Sequence, residues 1–301
     1  MIRKARSIAL GTAVAALALP AAAADDGAGK SYTPPRPPGD FTPPPDSAIP
    51  DGPMGDMIRR GRELFMHTQK LSGDYVGNGM NCVNCHLDRG RKASSAPLWA
   101  AFGMFPAYRG KNDHVNTMIE RIQGCFRYSM DGTPPPADSK PMVALLSYHF
   151  WLAKGAPVGV ALPGRGFPAI DKPDKPYSVA RGKTVYEREC AICHGSDGGG
   201  RKAEGTWVFP PLWGSESYNF GAGMHRINTA AAFIKPNMPL GRPDLTTQEA
   251  WDVAAYINSK PRPQDPRFTG ELAQTKKRFH DHMCLYGTEQ HGRTLGAPDG
   301  E

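Results

Sequence analysis

The stretch "CVNCH", Cys82 to His86, returns as "CAICH", Cys190 to His194. Two cysteines two residues apart, followed at once by histidine, have the spacing of covalent haem c attachment. On one helical turn each thiol can form a thioether to a porphyrin edge. His86 or His194 then swings beneath the ring to meet the iron. A zinc ribbon would need its cysteine pairs within about 15–20 residues of each other, and these are 108 residues apart. A thioredoxin-type pair would need a βαβ setting, of which the surrounding sequence has no sign. The expectation is two covalently bound haem c groups, attached through Cys82 and Cys85 and through Cys190 and Cys193.

The sequence around the two motifs is also duplicated. "APLW" (Ala96–Trp99) follows the first and "PPLW" (Pro210–Trp213) the second. "RGRELFMHTQ" and "RGKTVYEREC" each follow an Arg-Gly pair with a helical pattern. "MVALLSYHFWLAKG" and "EAWDVAAYINSKP" carry apolar residues at helical spacing. Helix, haem motif, long Gly/Pro-rich loop, ligand loop and closing helix make an all-α unit, so the chain reads as two tandem class I cytochrome c domains. The 30 prolines and 34 glycines suit irregular loops wrapped around haems, and the scarcity of period-two runs argues against a sheet.

Composition sets the boundaries. Residues 1–24 have a basic start (Arg3, Lys4, Arg6), a short apolar run and an Ala-rich end, as in a secretory signal peptide. The chain is therefore expected to be exported, to a bacterial periplasm, with no membrane span of its own. Residues 25–55 form a Pro-rich leader. The first cytochrome domain takes 56–160, a linker 161–176, the second domain 177–265, and 266–301 form a polar C-terminal tail containing Cys284. The formal charge of +7 falls to +4 without the three basic residues of the signal peptide, 1–24. There is no dense basic run, so a nucleic-acid or membrane partner is not indicated. The remaining cations are better matched to haem propionates or a small anionic substrate.

The sixth ligand of each haem is less evenly signalled. In the second domain "FIKPNMPLG" places Met238 in a loop beyond His194, with Met224, His225 and Lys235 as competitors. In the first, "RIQGCFRYSMDG" offers Cys125 and Met130. His86 and His194, Met130 and Met238, and Tyr148 and Tyr256 all differ by 108, which pairs Met130 with Met238. Asn116-Thr117 and Asn228-Thr229 differ by 112, which brings Cys125 opposite Asn237. On a helix Arg121, Cys125 and Ser129 fall on one face at i, i+4 and i+8. A guanidinium fork and a hydroxyl flanking a sulfur suit a small sulfur oxyanion. Spacing alone leaves both candidates open.

"NCVNCHLDRG", "APLWAAFGMFPAYRG", "MIERIQGCFRYSMDGTPPP", "MVALLSYHFWLAKGAPVG", "CAICHGSDG" and "FIKPNMPLG", in this order, resemble the dihaem thiosulfate dehydrogenases. The resemblance implies oxidation of two thiosulfates to tetrathionate at a haem held by His86 and Cys125. Electrons would leave through a second haem held by His194 and Met238, to another cytochrome or a high-potential iron protein. It further implies Arg121 and Ser129 as pocket residues, with Arg109 or Lys111 as a second cation. Some members have a lysine just before the second-haem methionine; this chain has Asn237 there. The rival readings are a non-catalytic dihaem carrier with Met130 and Met238 as matched ligands, a Cys125–Cys284 disulfide, and a dihaem peroxidase.

Overall fold

Two long helices cross at a glycine in each half of the molecule. The computed structural model describes residues 40–71, 75–280 and 283–298, all within one unit, Thr33–Glu301. The first half holds α1 (Pro53–Met66), the short turn α2 (Leu87–Gly90), α3 (Met118–Gly124) and α4 (Lys140–Leu152). The second half holds α5 (Val179–Glu189), the single turn α6 (Ala191–His194), α7 (Ile227–Asn237) and α8 (Thr247–Asn258); α9 (Leu272–Phe279) lies beyond it. Three two-stranded antiparallel hairpins complete the described elements: β1–β2 (Ala107–Arg109, His114–Asn116), β3–β4 (Arg201–Ala203, Thr206–Phe209) and β5–β6 (Glu289–Gln290, Arg293–Thr294). The architecture is the expected all-α tandem, with these short ribbons added.

The Arg-Gly pairs mark the crossings. A Cβ on Gly61 would run into the carbonyl of Ala144 and the Cβ of Tyr148; one on Gly182 would run into the carbonyl of Asp252 and the Cβ of Tyr256. Glycine is what allows α1 to lie on α4, and α5 on α8, at backbone contact. Tyr148 and Tyr256 thus play the same part in the two copies. Local signals start the helices where they begin. Thr117 and Glu120 form a reciprocal capping box on α3, as do Thr246 and Glu249 on α8.

Each half buries its own core. One gathers Ile58, Phe65, Trp99, Phe126, Leu145 and Tyr148; the other gathers Tyr186, Ile227, Ala254, Trp251 and Tyr256. Met224 packs against both and marks the seam between them. The linker is a packed strap. Leu162 is buried, Phe167 and Ile170 join the second core, and Trp251 Nε1 donates to Asp171 O at 2.9 Å.

Two expectations change here. The described end of the Pro-rich leader is docked: Phe41 lies 5.5 Å from Trp99, and Asp46 pairs with Arg91 at 2.6 Å. The residues read as a polar C-terminal tail form α9, the β5–β6 hairpin and a small core of Phe220, Tyr286 and Leu295. So few apolar residues over so long a stretch make no periodic pattern. The signal-peptide segment, 1–24, lies outside the described residues. Among those described, no helix is long and apolar enough to cross a membrane.

Candidate active site

The repeated tetrapeptide positions the two histidines. His86 Nδ1 donates to Ala96 O at 2.6 Å, and His194 Nδ1 donates to Pro210 O at 2.9 Å. Ala96 and Pro210 are the first residues of "APLW" and "PPLW". In each half a main-chain carbonyl holds Nδ1 and leaves Nε2 as the outward nitrogen, as a haem-ligating imidazole needs. The attachment cysteines sit one turn before each histidine. Thr68 Oγ1 accepts from the Cys82 N–H at 3.0 Å and donates to Cys82 Sγ at 3.3 Å. Ser95, fully buried, donates to Cys85 O and accepts from the Leu87 N–H. Burial pushes the Cys82, Cys85 and Cys190 thiols up to about 12. The donor sets fit covalent haem in both halves.

Opposite His86 the chain changes helical register. After Gly124, α3 runs on as a π-turn, Cys125–Ser129, closed by Met130 N–H donating to Cys125 O at 2.9 Å. Such single π-turns occur often at functional sites. The turn ends at Asp131, whose φ of 46° lies in the left-handed region and whose Oδ1 accepts from Asn219 Nδ2 at 2.7 Å. The second half braces the turn: Asn219 also donates to Arg127 O, and Asn78 bridges Ser129 O and Ser217 O at 2.9 Å each.

Arg121 and Cys125 meet as the helical spacing predicts, Arg121 Nη1 donating to Cys125 Sγ at 3.3 Å. Burial alone would push the Cys125 thiol up. The Arg121 guanidinium, the facing His86 ring and the charge of Lys111 outweigh it and hold the thiol down at about 6. Met130 is 3% exposed in the first core, against which Cys82 and Cys85 also pack, and its carbonyl accepts from the Gly77 N–H. Ser129 closes the wider turn, and none of its hydroxyl's hydrogen bonds reaches Arg121 or Cys125 among the described residues.

Arg109 and Lys111 come from the β1–β2 hairpin. Desolvation, then the charges of Arg121 and Arg165, lower Arg109 from its ordinary value. The Lys111 stem is exposed, but its ammonium turns inward, donating to Gly221 O and lying 3.9 Å from the Tyr128 ring centroid. Lost hydration and the neighbouring Arg267, Arg121 and Arg226 bring it down to about 7. Arg121 and Lys111 thus place positive charge at Cys125, with Arg109 beside Arg121. Sequence reasoning found these three and missed the cations next to them, Arg165 beside Arg109 and Arg226 and Arg267 beside Lys111, which carry no local motif.

In the second half Met238 caps α7 and packs against the core that also includes Cys190. Of its competitors, His225 is turned away toward His280, 3.1 Å from its Nδ1. Asn237 is fully buried; its Nδ2 donates to Phe233 O and, across the seam, to Ser94 O at 3.1 Å. Cys125 and Cys284 are not disulfide-bonded.

A family described as cytochrome c oxidase, cbb3-type, subunit III matches residues 178–257. The chain is 53% identical to a thiosulfate dehydrogenase of Stutzerimonas stutzeri over 91% of its own length and 88% of that protein's. It is 52% identical to a thiosulfate dehydrogenase of Thiomonas intermedia, over 85% and 82% of the two chains. Among solved structures it is similar to the thiosulfate dehydrogenase TsdBA of Marichromatium purpuratum, with a TM-score of 0.84 and 51% identity. The match covers 86% of this chain and 58% of that one.

Proposed function

Because this chain belongs to the thiosulfate dehydrogenase family and carries covalent haem c, we propose that it joins two thiosulfates into tetrathionate at Cys125, beside a haem held by His86 and Cys125. The observation that carries the reading is the sulfur of Cys125, facing His86 and in hydrogen-bond contact with Arg121.

Two thiosulfate dianions repel, and preorganised cations offset that repulsion most strongly where water is excluded. Arg121 orients the first thiosulfate through its planar fork, and Arg109 and Lys111 supply further positive charge. The Cys125 thiolate bonds to the outer sulfur of thiosulfate with loss of two electrons, giving a cysteinyl S-thiosulfonate. A second thiosulfate attacks the transferred sulfur, which releases tetrathionate and restores the thiolate. The two haems supply the two one-electron oxidising equivalents. Cys82, Cys85 and His86 would hold the first, and Cys190, Cys193, His194 and Met238 the second. A thioether ligand raises the potential of a His-anchored haem, which suits Met238 to an electron exit.

The basic, Ala-ended leader supports export to a periplasm. Ile192, between the second attachment cysteines, is 74% exposed and Leu240, two residues beyond Met238, is 64% exposed. These apolar side chains support docking of an external acceptor, such as another cytochrome or a high-potential iron protein, near the second haem.

Cys125→Gly tests the reading. Both haems and the fold should persist, since the thioethers and His86 remain, and tetrathionate formation should cease. Met130→Leu should leave the first haem's spectrum and turnover nearly intact. Normal turnover in Cys125→Gly, or a changed iron spectrum in Met130→Leu, would replace Cys125 with Met130 as the ligand and remove the proposed chemistry.

A further inference from the structure

The C-terminal segment contributes to a side-chain cluster that haem binding and thiosulfate chemistry do not use. His225 and His280 are 3% and 2% exposed. With Cys284 they bring two ring nitrogens and a sulfur within 4.8 Å of one another. His280 Nδ1 lies 3.1 Å from His225 Nε2 and 3.6 Å from Cys284 Sγ. A tetrahedral zinc ion with Zn–N of about 2.0–2.1 Å and Zn–S of about 2.3 Å has edges of about 3.3 Å between nitrogens and about 3.6 Å between nitrogen and sulfur. The cluster approximates both.

The other nitrogen of each ring is held in the manner of a metal-ligating histidine. His225 Nδ1 donates to Ala222 O. His280 Nε2 donates to Asp265 Oδ2 at 2.9 Å, and Asp265 is itself paired with Arg267 at 2.6 Å. The His280 ring stacks on Tyr286, with centroids 4.0 Å apart and planes at 12°. Both imidazoles are therefore fixed in tautomer and direction toward one point. A His225–His280–Asp265 hydrogen-bond chain would account for the rings, and Cys284 Sγ donates to His280 O at 3.4 Å; what distinguishes a metal site is the convergence of both ring nitrogens and the sulfur on one another.

We propose that His225 Nε2, His280 Nδ1 and Cys284 Sγ bind one zinc ion, separate from both haems. Two imidazoles and a thiolate are a donor set zinc accepts readily. Binding converts the Cys284 thiol to thiolate with release of one proton. The ion ties two residues just beyond α9's C-terminal end, His280 and Cys284, to the turn before α7. That turn belongs to the 217–226 stretch that also braces the π-turn at Cys125.

The test uses the intact dihaem protein. Equilibrated with Zn2+ and freed of excess, it should retain about one zinc for every two irons by elemental mass spectrometry. Its zinc X-ray absorption should show one sulfur neighbour and nitrogen neighbours. Cys284→Ser and His280→Gln should each lower retained zinc at least tenfold while keeping two irons per chain, which shows that the haem domains are folded. Retention of less than about a tenth of an equivalent by the parent protein, or equal zinc in the parent and both variants, would overturn the proposal.

Discussion

Lys111 shows how placement changes the chemistry of a single residue. Its ammonium is turned onto Gly221 O and the face of Tyr128, and burial with neighbouring cations brings it down to about 7. A lysine shifted downward keeps its charge below that value and loses it as pH rises. Thiosulfate, a dianion, binds the charged form. The KM for thiosulfate should therefore rise between pH 6.5 and pH 9, by up to roughly tenfold if the charged contact contributes about 1.5 kcal/mol. Lys111→Arg keeps its charge across that range and should flatten the profile. Steady-state kinetics on the two proteins decide the point, and an unchanged slope in Lys111→Arg assigns the trend to another group. None of this was legible in the sequence, because the carbonyl that holds Lys111 lies 110 residues further along the chain. The Arg121–Cys125 contact was legible, because four residues on a helix bring two side chains together whatever the tertiary fold.

The helices of each half depend on one close approach. Gly61 and Gly182 sit where α1 meets α4 and α5 meets α8, with a carbonyl in the place a methyl would take. Gly61→Ala and Gly182→Ala should each destabilise the protein by about 1–3 kcal/mol, as overpacking of a tight contact does. Denaturant titration measures this, and an unshifted midpoint would mean that the helices separate without cost. The paired Arg-Gly motifs and the tyrosines 108 residues apart made these elements readable, since helix periodicity and a repeat reinforce one another. The π-turn after Gly124 was not readable. It differs from a continuing α-helix by one step in hydrogen-bond register, and what stabilises it is the brace from Asn219 and Asn78. Ser129 was placed by an α-helical count, whereas the chain reaches it from Cys125 through the wider turn.

At the level of the whole molecule, the two halves share a scaffold, and on the proposed function they divide the labour. On that reading, electrons leaving the second half would meet an acceptor near Ile192 and Leu240, both well exposed. Replacing the pair by serine should raise the KM for a protein acceptor such as a small cytochrome c by roughly tenfold, if partial burial of the two side chains on docking contributes about 1.4 kcal/mol between them. Turnover with a small inorganic acceptor should not change. Equal losses with both acceptors would place the exit elsewhere. The tandem plan was legible because its motifs are contiguous. The His225, His280 and Cys284 cluster was not, because it joins a turn of the second half to a segment whose core amounts to three buried side chains. The carbonyls of Ala96 and Pro210 have a wider consequence. What steadies each haem's histidine is main chain, which every amino acid supplies alike. Substitution at either position can shift that oxygen but cannot erase it. Drift in the gene therefore has little purchase on what holds the Nδ1 side of either ring.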